Sequence, residues 1–258
     1  MRLTTPVEYL KTRFVGHQTL YYPVTSSTQD IAMQAVKDGA REGTIAIADH
    51  QTAGRGRLGR KWLSSPDNSI MVSIILYPDI EHLRQLNMVA ALAVAQSIEK
   101  LTRLKPVLKW PNDVLLEGKK VSGALIESDI QGERVGSAIV GIGLNVNLDT
   151  SSLAEISDTA TSLKEMLGRE VPRAAILEGL LCEFEEVYQE LRHGQPVIKE
   201  WQRRLQTLGK EVLVKRGNEV WEGYAESVDK DGNLLLRRPD GTLSTIIAGD
   251  VTLKTKNY

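Results

Sequence analysis

Apolar residues recur along the chain at two spacings, and these spacings predict a mixture of helices and strands. A recurrence every three to four residues places apolar side chains on one helix face, whereas alternation places them on one face of a strand. Helices are predicted over residues 27–38, 83–101, 172–191 and 197–208. Strands are predicted over residues 43–51, 69–77, 107–110, 114–116, 120–128 and 137–147.

The C-terminal part of the chain changes character, because its short alternating strands are separated by turn-forming pairs. These pairs are Gly217-Asn218, Asp231-Gly232 and Asp240-Gly241. Such pairs supply the backbone freedom that tight hairpin turns need, so the pattern predicts an antiparallel meander that closes into a small β-barrel. With a boundary near Gly209, the predicted domains are residues 1–208 and 209–258.

A glycine-rich stretch, residues 54–62, joins two predicted strands and is called the basic loop below. It holds four cations, three glycines and no acid. Because it has so little apolar surface, we expect it to be mobile until an anion orders it. If it is extended, Arg55 and Arg57 point to one side and bind carboxylate or phosphate oxygens. A solvated basic turn and a nucleic-acid-binding segment are alternatives at this stage.

Composition limits the function of the basic loop. The 258 residues include 32 Lys and Arg against 33 Asp and Glu, a net charge of -1, so no global positive field would hold a polyanion. Cys182 is the single cysteine and the four histidines are scattered, which argues against a disulfide or a Cys/His metal site. A cytoplasmic location is expected, since residues 1–15 form no export signal and no apolar run has membrane-spanning length.

Three further features each allow a structural and a functional interpretation. Ser27 precedes a predicted helix, where it either caps the helix or contacts a polar ligand. The strands around Lys119 and Lys120 read most simply as a structural hairpin. Gly141 and Gly143 interrupt an apolar strand, which indicates a bulge or a place where a ligand approaches the backbone.

Five short motifs then follow one another in a specific order. They are Ser27-Thr28, QTAGRGRLGRKW at 51–62, KWPND at 109–113, KVSG at 120–123 and GIGLN at 141–145. This series resembles the biotin protein ligases, from about residue 20 to the end of the chain. The resemblance implies an α+β fold: a mixed-sheet catalytic domain of the biotin/lipoate ligase type with helices on one face, and a small C-terminal SH3-like β-barrel.

The resemblance also implies a ligase reaction in two steps. Biotin and ATP, with Mg²⁺ expected, would give biotinyl-5′-AMP and pyrophosphate. Biotin would then pass to a specific lysine of the biotin carboxyl carrier protein or domain of acetyl-CoA carboxylase. Many bacterial relatives begin with a winged helix-turn-helix, for which this chain has no room, so it looks like the single-function form and DNA binding is not expected. A homodimer is left open.

The matched motifs imply which residues form the active site. The catalytic candidates are Arg55, Lys109, Asp113 and Lys120. The residues implied for biotin are Ser27, Thr28, Gln29, Gln51, Arg55, Gly56, Arg57, Lys120 and Gly123. Those implied for the nucleotide are Arg57, Trp62, Gly141, Gly143 and Asn145. Asp113 is the candidate to deprotonate or orient the incoming lysine, and no metal-ligating residue is implied.

Two other functions compete with this interpretation. Lipoate ligases and octanoyltransferases share the fold and have similar substrates, but octanoyl transfer uses a cysteine nucleophile, and Cys182 lies off the apolar stripe of its helix with no base beside it. An RNA-binding module would use the basic loop itself. The near-neutral charge and the lack of aromatic residues interleaved with the loop argue against that function.

Overall fold

The computed structural model describes residues 10–253, so the outer ends of both predicted domains and most of the N-terminal segment inspected for an export signal lie outside the described residues. The strands are Thr19–Thr25 (β1), Ile45–Gln51 (β2), Ser69–Leu76 (β3), Val107–Lys109 (β4), Asp113–Leu116 (β5), Lys119–Gln131 (β6), Arg134–Asn145 (β7), Glu211–Arg216 (β8), Glu219–Val228 (β9), Leu234–Arg237 (β10), Leu243–Ile246 (β11) and Asp250–Leu253 (β12). The helices are Thr28–Lys37 (α1), Ile80–Thr102 (α2), Leu163–Leu167 (α3), Arg173–Arg192 (α4) and Val197–Arg204 (α5).

The first sheet has seven strands in the order β1-β2-β3-β7-β6-β5-β4. β1 and β2 run parallel and the other neighbours antiparallel, so the predicted mixed sheet is confirmed. The edge strand β1 was not predicted from the sequence. Its residues Tyr22, Pro23 and Val24 are all exposed, so they lack the alternation that marks a strand with one buried face.

The two long helices cover one face of the sheet, as predicted. The middle of α2, from Met88 to Ala95, is buried on every side because it lies between the sheet and α4. Central strand β3 is buried along its whole length. That burial requires a cover on the opposite face as well, which α1 provides.

Helix α1 departs from the expectation that the helices share one face. Its Ala32 and Ala35 pack with Ala46, Ile75 and Ile139 in a small cluster separate from the main core. The neighbouring strand residues 45, 74 and 140 belong to the main core, and successive strand residues point to opposite faces. The periodicity of α1 predicts an apolar side but does not say which face of the sheet that side covers.

One helix begins at a local capping residue, and another ends where the chain joins a distant strand. Ser27 caps α1 by accepting a hydrogen bond from the amide of Gln29, as the capping interpretation predicted. The prediction of a helix over 197–208 is too long, because α5 ends at Arg204. After it the chain joins β4: the Gln206 amide donates to the carbonyl of Leu108, and the Thr207 hydroxyl accepts from the amide of Trp110.

The second sheet is antiparallel with the order β11-β10-β9-β8-β12, which confirms the small C-terminal barrel of the predicted fold. All its strands follow Gly209, although the exact domain ranges stay a prediction. The two sheets share one core, to which Val212, Leu234 and Leu236 contribute. The Trp110 indole also donates to the carbonyl of Gly232 at 2.8 Å, so the barrel is fastened beside the KWPND motif.

Candidate active site

A cleft of about 230 Å³ lies on the α1 face of the first sheet. Its walls are the N-terminus of α1, the basic loop, the start of β6, the middle of β7 and the last strand of the barrel. The sequence-predicted residues that line it are Ser27, Thr28, Gln29, Gln51, Arg55, Gly56, Arg57, Trp62, Lys109, Asp113, Lys120, Gly123, Gly141 and Gly143. The structure therefore brings together all the predicted site residues except Asn145.

The basic loop is folded back on itself and is not extended. Arg55 pairs with Lys61 in an isolated β-bridge, and the amide of Gly56 donates to the carbonyl of Arg60 at 2.7 Å. Leu58 at the tip has a φ of 55°, in the left-handed region. Because the loop turns between them, the side chains of Arg55 and Arg57 meet different partners, contrary to the expectation for an extended strand.

Arg55 is held by two carboxylates that sequence reasoning did not assign. Its Nη1 lies 2.6 Å from Asp30 Oδ1, and its Nη2 lies 3.1 Å from Glu127 Oε2. Burial opposes the charge on Arg55, but the hydrogen bonds to both carboxylates outweigh it, and the pKa of this guanidinium is raised. Its charge is thus compensated within the protein.

Arg57 has a different environment. Its Nη1 donates to the amide oxygen of Asn112 at 3.0 Å, and among the described residues no carboxylate is close enough to form an ion pair with it. Burial lowers the pKa of Arg57, against the weaker opposing attraction of Asp250 and Asp113. A partly desolvated cation without a neutralising partner is well suited to bind an anion that enters the cleft.

A neighbouring cation of the loop contacts the barrel. Arg60 forms an ion pair with Asp250, and Asp250, Val251 and Thr252 all line the cleft. The ion pair joins residues 190 positions apart in the chain. The sequence contains no signal for this contact, since Asp250 belongs to none of the five motifs.

The N-terminus of α1 is tied to the sheet by a chain of polar groups. Gln51 Oε1 accepts from the amide of Thr28 at 2.7 Å and from its hydroxyl at 3.0 Å, and that hydroxyl lies 2.8 Å from Ser73 Oγ. Next to it, Gln29 Oε1 is buried without a hydrogen-bond partner among the described residues. A buried acceptor without a partner is costly, so this atom is a candidate ligand contact.

An ion pair between Lys120 and Asp113 lines part of the cleft. Lys120 Nζ lies 2.6 Å from Asp113 Oδ1 and 5.6 Å from the centre of the Trp62 ring. Asp113 and Lys120 are about a fifth and a third exposed, so both remain accessible from the cleft. Gly123 leaves room for this arrangement, because a β-carbon there would lie 2.9 Å from Lys120 Nζ.

Two side chains of this protein pack over the backbone at Gly141 and Gly143. A β-carbon at Gly141 would lie 3.0 Å from Gln29 Cδ, and one at Gly143 would overlap the ring of Trp62. The two glycines therefore let Gln29 and Trp62 approach the backbone of β7 closely. The approach of a ligand to this strand stays a prediction.

We expect Gly143→Ala to displace the Trp62 indole from β7, because the added methyl group occupies the position of the ring. The indole would then become more exposed, and its fluorescence emission would shift to longer wavelength. The measurement is the emission difference between variant and wild type. The same comparison in a Trp62→Phe background is the control, and a shift that persists there would come from another tryptophan.

Asn145 is the predicted residue that does not line the cleft. It lies on β7 two residues beyond Gly143, is 3% exposed, and its Nδ2 donates to the carbonyl of Thr161 at 3.1 Å. Its Oδ1 is buried without a hydrogen-bond partner among the described residues. A role at the nucleotide stays a prediction.

Sequence reasoning missed several residues around the cleft, for different reasons. Asn112 lies inside the KWPND motif, so a signal was present and was read only as a turn. Asp30 was read as part of a helix start, whereas its side chain binds Arg55 and accepts from Ser26 Oγ at 3.1 Å. Glu127 and Ser73 carry no local signal, because only the sheet brings them to Arg55 and Thr28, which line the cleft.

The chain is similar to known proteins in sequence and in fold. Residues 21–145 match the biotin/lipoate A/B protein ligase family, and residues 207–254 match the biotin protein ligase C-terminal domain. The chain is 38% identical over 249 residues to the bifunctional ligase/repressor BirA of Bacillus subtilis, an alignment that covers 95% of this chain and 76% of that protein.

Two further relatives are similar over most of their length. The biotin acetyl-CoA-carboxylase ligase of Mycobacterium tuberculosis is 32% identical, with 88% of this chain and 85% of that protein covered. A biotin protein ligase from Aquifex aeolicus, solved in complex with biotin and ATP, superposes with a TM-score of 0.79 at 32% identity and covers 92% of this chain. The chain therefore belongs to the biotin protein ligase family.

Proposed function

We propose that this protein activates biotin with ATP to biotinyl-5′-AMP, releases pyrophosphate, and transfers biotin to a lysine of a biotin carboxyl carrier protein. The observation that carries the proposal is a cleft beneath a glycine-rich loop into which Arg57, Lys109 and Lys120 converge. The match of residues 207–254 to a biotin protein ligase domain supports biotin over lipoate as the substrate.

The first step brings two anions together. The carboxylate of biotin has to approach the α-phosphate of ATP, and their mutual repulsion raises the barrier unless fixed cations offset it. Arg57 meets this requirement best, because its charge has no carboxylate partner among the described residues. Lys120 shares its charge with Asp113, and Arg55 shares its charge with two acids.

The product of the first step needs protection from water. A mixed anhydride of a carboxylic acid and a phosphate hydrolyses readily, so a closed loop above it preserves the intermediate. The basic loop contacts three walls of the cleft through Arg55, Arg57 and Arg60. Trp62 closes one end by lying against Gly143.

The second step requires an amine that is not protonated. A lysine entering the cleft would meet the Asp113 carboxylate beside Lys120. Asp113 can accept a proton from the incoming ammonium or orient the amine toward the acyl carbon, while Lys120 stabilises negative charge on the phosphate leaving group. In this role Asp113 acts on the amine that forms the new C–N bond, and Lys120 acts on the phosphate released when the C–O bond breaks.

Mg²⁺ is expected to enter with ATP. Within residues 10–253 no three His, Cys, Asp or Glu side chains gather as a protein-built metal site requires. This donor set fits a Mg²⁺ ion that is held chiefly by the triphosphate, with at most one or two carboxylates, which is the common mode for nucleotide-bound Mg²⁺. In the part of the chain that the structure describes, the two acidic residues that line the cleft are Asp113 and Asp250.

Other expectations concern partners and location. The acceptor is proposed to be the carrier domain of acetyl-CoA carboxylase, and we expect it to contact the barrel near residues 250–252, which line the cleft. Within the described residues, no helix has the length and apolar composition of a membrane span. A cytoplasmic location, a homodimer and the absence of DNA binding stay predictions.

Exchange of labelled pyrophosphate into ATP tests the first step without a partner protein. We expect exchange that depends on biotin and does not occur with lipoate or octanoate. Equal exchange with lipoate would favour the lipoate alternative, and no exchange with any of these acids would contradict the proposal. Binding of RNA that weakens steeply with salt would support the remaining alternative.

A further inference from the structure

Arg55 is a junction between three parts of the cleft wall. It begins the folded part of the basic loop, where it pairs with Lys61. Asp30 lies in the first turn of α1, and Glu127 lies on β6. Gly123 and Leu125 of the same strand line the cleft, and Glu127 continues their face because residues two apart share a side. One side chain thus joins the loop, the helix and the sheet.

The guanidinium group of this arginine is bound by two acids. Its two terminal nitrogens are taken by Asp30 and Glu127, and its Nε is buried with no hydrogen-bond partner among the described residues. With two carboxylates to one guanidinium, the cluster has a net negative charge. Such a cluster is poorly suited to bind the anionic part of a substrate.

The contacts of the loop are mainly polar. Leu58 at its tip is 53% exposed, so it adds little apolar burial. The described contacts that hold the loop down are the Arg55 pairs, the Arg57 to Asn112 hydrogen bond, the Arg60 to Asp250 ion pair and the Trp62 contact with β7. Among the three arginines, Arg55 is the one held by two acids at once.

We propose that Asp30 and Glu127 are positioning residues for the ligase reaction: they bind Arg55, keep the basic loop closed over the cleft, and so determine how long the adenylate is retained. Only the part on adenylate retention rests on the function proposed above; the binding of Arg55 and the closure of the loop do not. Arg55 in this view is a clamp, and the charge that acts on the substrate belongs to Arg57 and Lys120. Neither acid touches the reacting atoms.

Loop closure can be measured without substrate. Trypsin cleaves after Arg and Lys, and the loop offers such sites at Arg55, Arg57, Arg60 and Lys61. For Asp30→Asn/Glu127→Gln we expect cleavage within the loop to rise about fivefold, because two partly exposed ion pairs are lost. Mass spectrometry identifies the cut. Cleavage unchanged from wild type would overturn the proposal.

Salt gives a second readout that a general loss of packing would not produce. The pairs are about one-third exposed, so salt should screen them and raise loop cleavage in the wild type. In the double variant the loop should respond less to salt, and the remaining response would come from the Arg60 to Asp250 ion pair. An equal salt response in both proteins would contradict the clamp. The single variant Glu127→Gln repeats the test should Asp30→Asn disturb α1.

A triple variant tests whether the acids act through Arg55. Adding Arg55→Gln to Asp30→Asn/Glu127→Gln removes the trypsin site at residue 55, so the comparison uses cleavage after Arg57, Arg60 and Lys61. That cleavage should stay at the level of the double variant, since the clamp is already lost. A further several-fold rise would show that the acids and Arg55 act separately. The matched control is Glu226→Gln, which removes an exposed ion pair with Arg237 on the barrel and should leave loop cleavage unchanged.

The enzymatic consequence is measured last. Biotinyl-adenylate formed by the double variant should escape into solution about fivefold faster than from wild type, in line with the loop opening. Pyrophosphate exchange at saturating substrates should change little. A variant whose loop opens while adenylate retention stays normal would refute the link to retention. Absence of exchange in the wild type would instead refute the proposed function and leave the clamp result intact.

Discussion

Replacing Arg57 with alanine is expected to slow formation of biotinyl-5′-AMP by about 100-fold, the usual effect of losing one preorganised charge at a reacting phosphate. The reason is that Arg57 is desolvated by burial, lacks a carboxylate partner among the described residues, and is held in place by Asn112. The same variant should also release more adenylate into solution, because one of the contacts of the loop is lost. Pyrophosphate exchange measures the first effect, and chromatography of free adenylate measures the second.

Arg55→Ala is the matched comparison. Its charge is compensated by Asp30 and Glu127, so its removal should open the loop and raise leakage while changing the exchange rate only a few-fold. Equal loss of exchange in the two variants would contradict the division of roles between these arginines. Arg57→Lys serves as a second comparison, since lysine keeps the charge but not the planar fork.

Replacing Asp113 with asparagine is expected to slow transfer of biotin to the carrier lysine by about 100-fold, a typical loss for a proton acceptor. Asparagine retains the size of the side chain and its hydrogen bond to Lys120, which lies 2.6 Å from Asp113 in the native protein. Adenylate formation does not need a proton acceptor for an amine, so pyrophosphate exchange should stay within a few-fold of wild type.

The two half-reactions are separated by supplying preformed biotinyl-5′-AMP to the variant together with the carrier domain. Single-turnover transfer then reports the second step alone. Lys120→Gln is the control, because loss of this cation should impair both steps. Should Asp113→Asn reduce exchange and transfer equally, Asp113 would act by holding Lys120 and not on the incoming amine.

Much of the site follows from short stretches of sequence. Glycines and cations at 54–62 predict a loop that can bind an anion, and the spacing of the KWPND and KVSG motifs places Asp113 and Lys120 on one hairpin, where they form an ion pair. These inferences work because they depend on residues close in the chain. The fold class follows for the same reason, since helix and strand periods are local properties.

Other features depend on which elements pack together, and the spacing of apolar residues within one element does not predict such packing. Helix α1 lies on the cleft side of the sheet because Ala32 and Ala35 pack there. The strands are apolar on both faces, so the sequence does not show which face the helix covers. The conformation of the basic loop is another case. Its own hydrogen bond between Gly56 and Arg60 folds it, so the assumption of an extended strand wrongly placed Arg55 and Arg57 on one side.

The sequence by itself determined the kinds of groups that reach the cleft: flexible glycines, cations to attract phosphate, and a carboxylate beside a lysine. Only the tertiary structure decided which of those charges are already satisfied. Asp30, Glu127 and Asp250 are brought to the basic loop from a helix, a strand and the barrel. Electrostatic interaction depends on distance and solvent exposure and not on separation along the chain, so the difference between Arg55 and Arg57 exists only in the folded protein.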